Sequence, residues 1–255
     1  MSRSLDIAFN AIEKSNEDES GLTRRRLVTG AAATMGSMGL LGLAGNAEKA
    51  MAANDPQTIL NVAATAEVLA TIVNTVGGER LAELNMRAKK RGKRPDKVTL
   101  RNVRAAAREE LIHYDVLKSI GAQEITKRIW VPNEVFASKK GLLTALEVGD
   151  QVFINAYLIG TTAFATAGLG AEARYTGEFM GVEAVHRALA RQSLGKPGND
   201  RAFMAYEFTA IEEAVSRLQA AGFGFGQPGS KAGKFYEFDQ VRPRTPDPAF
   251  VNTRT

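Results

Sequence analysis

The chain contains two histidines, and each lies three residues after a glutamate, in Glu110-Leu-Ile-His113 and Glu183-Ala-Val-His186. Residues three apart on an α-helix share a face, so each pair can direct a carboxylate and an imidazole at one point. Two such helices, with one carboxylate from each of two more, form a dinuclear metal site inside a four-helix bundle. The pattern therefore predicts long helices whose acidic and imidazole side chains meet in the interior.

The composition favours a helical protein with a full core. Of 255 residues, 44% are hydrophobic and only 7% are aromatic, and Ala, Leu, Val and Glu dominate the middle of the chain. These residue types favour helix over sheet. The sequence has no cysteine, which excludes disulfides, thiolate zinc sites and a cysteine nucleophile. The net charge of +5 is a mild excess, and we expect no nucleic-acid partner.

Residues 1–52 have the features of a targeting segment. Thr23-Arg24-Arg25-Arg26-Leu27-Val28 resembles the twin-arginine export motif, a modestly apolar stretch follows over 27–44, and Ala50-Met51-Ala52 resembles a cleavage site. We therefore expect the twin-arginine machinery to export the protein to a periplasmic or extracytoplasmic location, with cleavage near Ala52. An uncleaved anchor and an unrelated basic and apolar segment are the alternative interpretations.

The sequence predicts an all-α domain over residues 53–221. Residues 222–255 are predicted to form an extended tail that packs on this domain. Asp55 and Pro56 are suited to begin the first helix, which Gly77-Gly78 are expected to break or end, with a short extension at Leu81 and Leu84 as the alternative. A basic loop at 89–95 follows and is expected to be a solvated connection. Apolar spacing and terminal glycines then predict four further helices, over about 99–120, 142–167, 171–192 and 200–221.

The first four predicted helices supply six candidate metal ligands. Glu67 is the only acidic residue between Asp55 and Glu79 and lies among apolar residues. On the third helix we favour Asp150 by position, with Glu147 as the alternative on the same helical face. Four carboxylates and two neutral imidazoles would balance two divalent ions, and such ligands suit iron or manganese. The six candidates are Glu67, Glu110, His113, Asp150, Glu183 and His186.

Each of these residues taken alone has an ordinary structural explanation. A single Glu-x-x-His is common, a buried histidine is usually a hydrogen-bonded core residue, and Glu110 beside Glu109 could belong to a solvated acidic face. The prediction rests on the joint occurrence of the ligands on four helices. The imidazoles of such a site need partners that orient them, and the candidates are Tyr114, Asp115, Tyr157, Tyr175 and Arg187.

This arrangement of helices and ligands resembles the ferritin-like superfamily over about residues 56–221. More narrowly, the run 59–63 leading into Glu67, the run 156–160 and the tail at 222–238 resemble the ferritin-like domain of plant desiccation-related proteins and their exported bacterial relatives. The resemblance implies a ferritin-like four-helix bundle with an additional C-terminal helix and an extended tail. The ligand positions of the family fall on the six candidates. Asp150 stands where a glutamate is expected, and Thr71 and Asn74 stand where an aromatic residue is usual.

The resemblance further implies protection against oxidative or drying stress, by reaction of oxygen or peroxide at two iron or manganese ions. A ferroxidase, a peroxidase and a catalase-like enzyme all remain open, as does a structural stress-protection bundle without redox turnover. An iron-storage or DNA-protecting cage is less expected for an exported chain. The sequence leaves open the metal, the physiological substrate, the reductant and the oligomeric state, for which a homodimer is one candidate.

Overall fold

The computed structural model describes residues 54–252. Four long helices make up most of this part of the chain, namely α1 (Pro56–Lys90), α2 (Lys97–Ser119), α4 (Lys139–Thr166) and α5 (Gly170–Ser193). Three shorter helices are α3 (Asn133–Ala137), α6 (Glu212–Ala220) and α7 (Phe238–Val241), and a 3-10 turn follows at Arg242–Arg244. The described chain is therefore mostly helical, which confirms the expectation from composition. The predicted export segment at 1–52 lies outside the described residues.

The long helices form two hairpins that share one hydrophobic core. Helix α1 packs along α2, and α4 packs along α5, while contacts of α1 with α4 and of α2 with α5 join the two hairpins. Side-chain oxygens define where three of these helices begin. Asp55, Asp96 and Ser138 accept hydrogen bonds from the backbone N–H of Thr58, Thr99 and Gly141, respectively.

Helices α1 and α4 are also long and apolar enough, by length and composition alone, to cross a membrane. The apolar window of α1 is 83% buried inside the fold and that of α4 is 50% buried. Glu67, in the first half of α1, is fully buried. This burial fits a helix that packs inside the protein. A helix that is hydrophobic all round is typical of a protein core as well as of a membrane span.

The predicted end of the first helix at Gly77-Gly78 is wrong, because α1 continues through both glycines to Lys90. A Cβ atom on Gly77 would lie 2.6 Å from Leu142 Cδ1, and one on Gly78 would lie 3.4 Å from Arg104 Cγ. Leu142 begins the core face of α4 and is buried. The glycine at 77 therefore permits close packing of α4 against α1 and does not end the helix.

The predicted fifth helix is shorter than expected, because only Glu212–Ala220 is helical. Residues 200–211 form an irregular segment held by Asn155, a fully buried residue of α4. Asn155 Nδ2 donates to the Phe208 carbonyl at 2.8 Å, and Asn155 Oδ1 accepts from the Phe208 N–H at 3.2 Å. Tertiary hydrogen bonds thus replace the helical ones that the local sequence favours.

The predicted extended tail forms part of a small antiparallel sheet. Strand β1 (Arg128–Pro132) lies between β2 (Gly224–Phe225) and β3 (Gly233–Glu237). In this register Ile129 pairs with Phe225 on one side and with Tyr236 on the other. The sheet ties the tail to the segment between α2 and α3, and the four long helices remain the elements that carry the candidate ligands.

Candidate metal centre

The six candidate ligands meet in one buried cluster, where α1, α2, α4 and α5 each contribute at least one side chain. None of the six is more than 7% exposed, and the three glutamates are 0% exposed. Their ligand atoms form two overlapping groups, within each of which the atoms lie no more than 4.8 Å apart. We name them the His113 group (Glu67, Glu110, His113 and Glu183) and the His186 group (Glu110, Asp150, Glu183 and His186).

Glu110 and Glu183 belong to both groups and present a different oxygen to each. In the His113 group, His113 Nδ1 lies 3.6 Å from Glu110 Oε2 and 3.7 Å from Glu183 Oε1. In the His186 group, His186 Nδ1 lies 3.2 Å from Glu110 Oε1 and 3.5 Å from Glu183 Oε2. The two oxygens of each carboxylate therefore face opposite imidazoles, which is the arrangement needed for a carboxylate that bridges two ions.

The remaining two carboxylates each belong to one group. Glu67 Oε1 lies 3.5 Å from His113 Nδ1, on the α1 side of the cluster. Asp150 completes the His186 group from α4. Glu147, the alternative on that helix, points elsewhere, and its oxygens bind Arg191 Nη1 and Lys196 Nζ at 2.6 Å each. The geometry therefore brings Asp150, and not Glu147, into the cluster.

Many polar atoms of the cluster lack a hydrogen-bond partner among the described residues. Buried polar atoms in proteins are nearly always satisfied, so such a concentration needs an explanation. A cation would bind the oxygens and imidazole nitrogens at once, and the donor set therefore fits a metal. The unsatisfied atoms are Glu67 Oε2, Glu110 Oε2, His113 Nδ1, Asp150 Oδ2, Glu183 Oε1, Glu183 Oε2 and His186 Nδ1.

The electrostatics of the cluster favour the binding of positive charge. Burial, together with the nearby charge of Glu110, raises the pKa of Glu67 to about 8. Burial likewise raises the pKa of Asp150 well above its usual value. Burial lowers the pKa of His113 and His186, but the surrounding carboxylates outweigh it and hold both pKa values well above 6.5. Metal-free protein therefore retains protons that divalent ions would displace.

Two polar residues contact ligands of the cluster, and a third, Arg187, carries a positive charge near Asp150. Glu109 Oε2 lies 2.6 Å from His186 Nε2, so that Nδ1 is the nitrogen left facing the shared carboxylates. The buried hydroxyl of Tyr157 donates to Glu67 Oε1. Arg187, also buried, binds Asp200 through two hydrogen bonds of 2.9 and 3.1 Å.

Tyr157 and Arg187 are among the residues that the sequence suggests as partners of the imidazoles, but their hydrogen bonds go to Glu67 and Asp200 and not to a histidine ring. The residue that does bind an imidazole, and that the sequence analysis misses, is Glu109. The signal that could have found it is its position beside Glu110. Adjacent residues on a helix point about 100° apart, so Glu109 can reach a neighbouring helix while Glu110 faces the core.

Comparison with protein-family models, with curated proteins and with solved structures finds no match. The fold and the site define a mostly helical protein with a buried Glu/Asp/His cluster that could hold a metal ion. Any more specific assignment therefore depends on the geometry of the cluster itself.

Proposed function

We propose that the protein is a ferritin-like dinuclear carboxylate protein, in which α1, α2, α4 and α5 form the four-helix bundle and α6 and the tail pack outside it. The observation that carries this proposal is that Glu110 and Glu183 each direct one oxygen toward His113 and the other toward His186. One ion in each group, with two shared carboxylates, uses all six ligands.

Two iron or manganese ions would supply redox chemistry with oxygen or peroxide. The protein contributes the arrangement around them. The shared carboxylates fix the spacing of the two groups, Glu109 fixes the orientation of the His186 ring, and the Tyr157 hydroxyl fixes Glu67. Burial of all six ligands keeps bulk water away, which strengthens electrostatic interactions in the site. This arrangement supports an oxidoreductase, and we propose protection against oxidative or desiccation stress as its role because the sequence resembles desiccation-related proteins.

Metal analysis and turnover test the proposal on the purified protein, with Glu213→Gln on the exposed face of α6 as the matched control. Anaerobic loading should give two equivalents of iron or manganese, and the loaded protein should oxidise ferrous iron or consume hydrogen peroxide. Binding without turnover would instead support the structural stress-protection bundle. A protein that binds neither metal would contradict the proposal.

The proposed location is extracytoplasmic, and its support is the sequence of the N-terminal segment. Replacement of both Arg24 and Arg25 by lysine should retain the protein in the cytoplasm, because the twin-arginine machinery reads that pair. Cell fractionation checks this, and unchanged export of the double variant would contradict it.

A further inference from the structure

Asn74 presents an unsatisfied carbonyl oxygen next to the cluster. The residue lies on α1, seven positions after Glu67 and on the same face, and is 2% exposed. Its Nδ2 donates to the Ala70 carbonyl at 3.1 Å and lies 3.5 Å from Glu110 Oε1. Both neighbours are acceptors, which fixes the amide nitrogen on that side. Asn74 Oδ1 therefore faces the other way, where no donor meets it among the described residues.

A second unsatisfied polar group lies on the same face of α1. Thr71 is fully buried, and its hydroxyl has no partner within the described part of the chain. Thr71 stands four residues after Glu67 and three before Asn74, so all three side chains share the face that α1 turns toward the cluster. A face built only for packing would carry apolar groups here, because an unpaired buried polar group is destabilising.

Two small cavities adjoin Asn74, and Asp150 lines both of them. The first, of about 20 Å³, is also bounded by Thr99 and His186. The second, also of about 20 Å³, extends toward Leu218 of α6. A cavity needs roughly 10–15 Å³ to hold one water molecule. Each cavity thus has room for a molecule of one or two heavy atoms, and Asn74, whose Oδ1 is unsatisfied, lines both.

We infer that Asn74 and these cavities form a subsite for a small hydroxylic molecule, and that the subsite selects hydrogen peroxide over dioxygen. Hydrogen peroxide has O–H groups that can donate a hydrogen bond to Asn74 Oδ1, whereas dioxygen has none. A site with unpaired hydrogen-bonding groups discriminates against a ligand that cannot satisfy them. Small anions only accept hydrogen bonds and are disfavoured for the same reason. The inference rests on the proposed function, since it assigns the substrate of that centre.

The test uses full-length Asn74→Leu, which removes both amide atoms at similar volume. Asn102→Leu is the matched control, because Asn102 is half-buried in the wall of the first cavity alone. Both variants and the unmodified protein are loaded with Co²⁺, and the visible absorption of cobalt is followed during titration. One probe is hydroxylamine, which is similar in size to hydrogen peroxide and can donate; the other is fluoride, which can only accept.

Asn74→Leu should weaken hydroxylamine binding about 3- to 10-fold, the range expected for one lost hydrogen bond, and should not weaken fluoride binding. Asn102→Leu should change neither. In iron-loaded protein, the ratio of the rate constants for oxidation by hydrogen peroxide and by dioxygen should fall by a similar factor in Asn74→Leu. If Asn74→Leu does not fold, Asn74→Ala should show the same selective loss.

Unchanged hydroxylamine binding, or an equal loss for both probes, would overturn the inference. Failure of the unmodified protein to take up two equivalents of cobalt would overturn the proposed function itself. Full cobalt uptake with unchanged probe selectivity overturns only the peroxide subsite.

Discussion

The two halves of the cluster start from the same Glu-x-x-His motif but lie in different surroundings. The ring of His113 lies against Phe179, with 4.1 Å between the ring centroids, and Phe179 also contacts Tyr157. The ring of His186 instead meets the carboxylate of Glu109 at 2.6 Å. One imidazole is thus held by aromatic packing and the other by a charged hydrogen bond.

This difference indicates that the two groups bind metal unequally. A carboxylate bound to the outer nitrogen of a ligating histidine raises its basicity and fixes its tautomer. Arg187 adds a positive charge near Asp150, but Asp200 pairs with it through two hydrogen bonds. We therefore expect the His186 group to be filled first.

The largest effect is expected from Glu183→Gln, because Glu183 belongs to both groups. An amide keeps the shape of the side chain but loses the anionic charge and one oxygen ligand. Metal content measured by elemental analysis should fall from two equivalents to near zero, while Glu213→Gln keeps both. Retention of one full equivalent would show that Glu183 serves one group only.

The second prediction separates the halves. His113→Ala and His186→Ala should each lose one equivalent and remain helical by circular dichroism, because each imidazole belongs to a single group. The equivalent left in His113→Ala should be the tighter one, since Glu109 still orients His186. Full metal content in both variants would refute the ligand assignment, and a tighter remaining ion in His186→Ala would reverse the proposed order.

Asp150 and Glu147 provide a matched pair on α4. Asp150→Ala removes a direct ligand of the His186 group and should weaken its ion by more than the ~10- to 100-fold expected for loss of an outer partner. Glu147→Ala should leave affinity unchanged and lower the free energy of unfolding by about 1 kcal/mol, through loss of its pairs with Arg191 and Lys196. Competition with a metal chelator gives the affinities, and the reverse ranking would reassign the ligand.

Glu109→Gln tests the source of the asymmetry. The amide can still contact His186 Nε2, but it no longer raises the basicity of the ring as a carboxylate does. Affinity at the His186 group should fall about 10-fold, toward that of the His113 group, with both equivalents still bound at saturation. If calorimetry shows the same difference in metal affinity between the two binding steps, Glu109 is not the cause of that difference.

The ligands could be predicted from the sequence because their signals are local. Spacing within one helix placed Glu110 beside His113 and Glu183 beside His186, and terminal glycines placed the end of α2 within a residue or two. Glu109 was missed because its partner is 77 positions away in the chain. Its position beside Glu110 indicates that it can reach a neighbouring helix, but not which side chain it meets there.

The errors in the predicted fold have the same physical origin. Gly77 was expected to end a helix, but its role is set by Leu142 of α4. The segment before α6 was expected to be helical, but Asn155 holds Phe208 in an irregular backbone. In both cases a contact distant in sequence outweighed the local preference, and such contacts cannot be deduced from spacing alone.

The smallest expected effect concerns Asp200, which supports only the His186 half through Arg187. Hydrogen bonding to Arg187 lowers the pKa of Asp200 from 3.8 to about 2. A carboxylate whose pKa is lower in the folded state than in the unfolded state stabilises the fold. The full stabilisation is present at pH values above the unfolded pKa, and it disappears as the pH falls through the folded pKa. In metal-free protein, the small loss of melting temperature in Asp200→Asn should thus stay constant down to about pH 4 and vanish near pH 2. A difference that persists at pH 2 would mean that the amide disturbs packing and that the charge of Asp200 is not what holds Arg187.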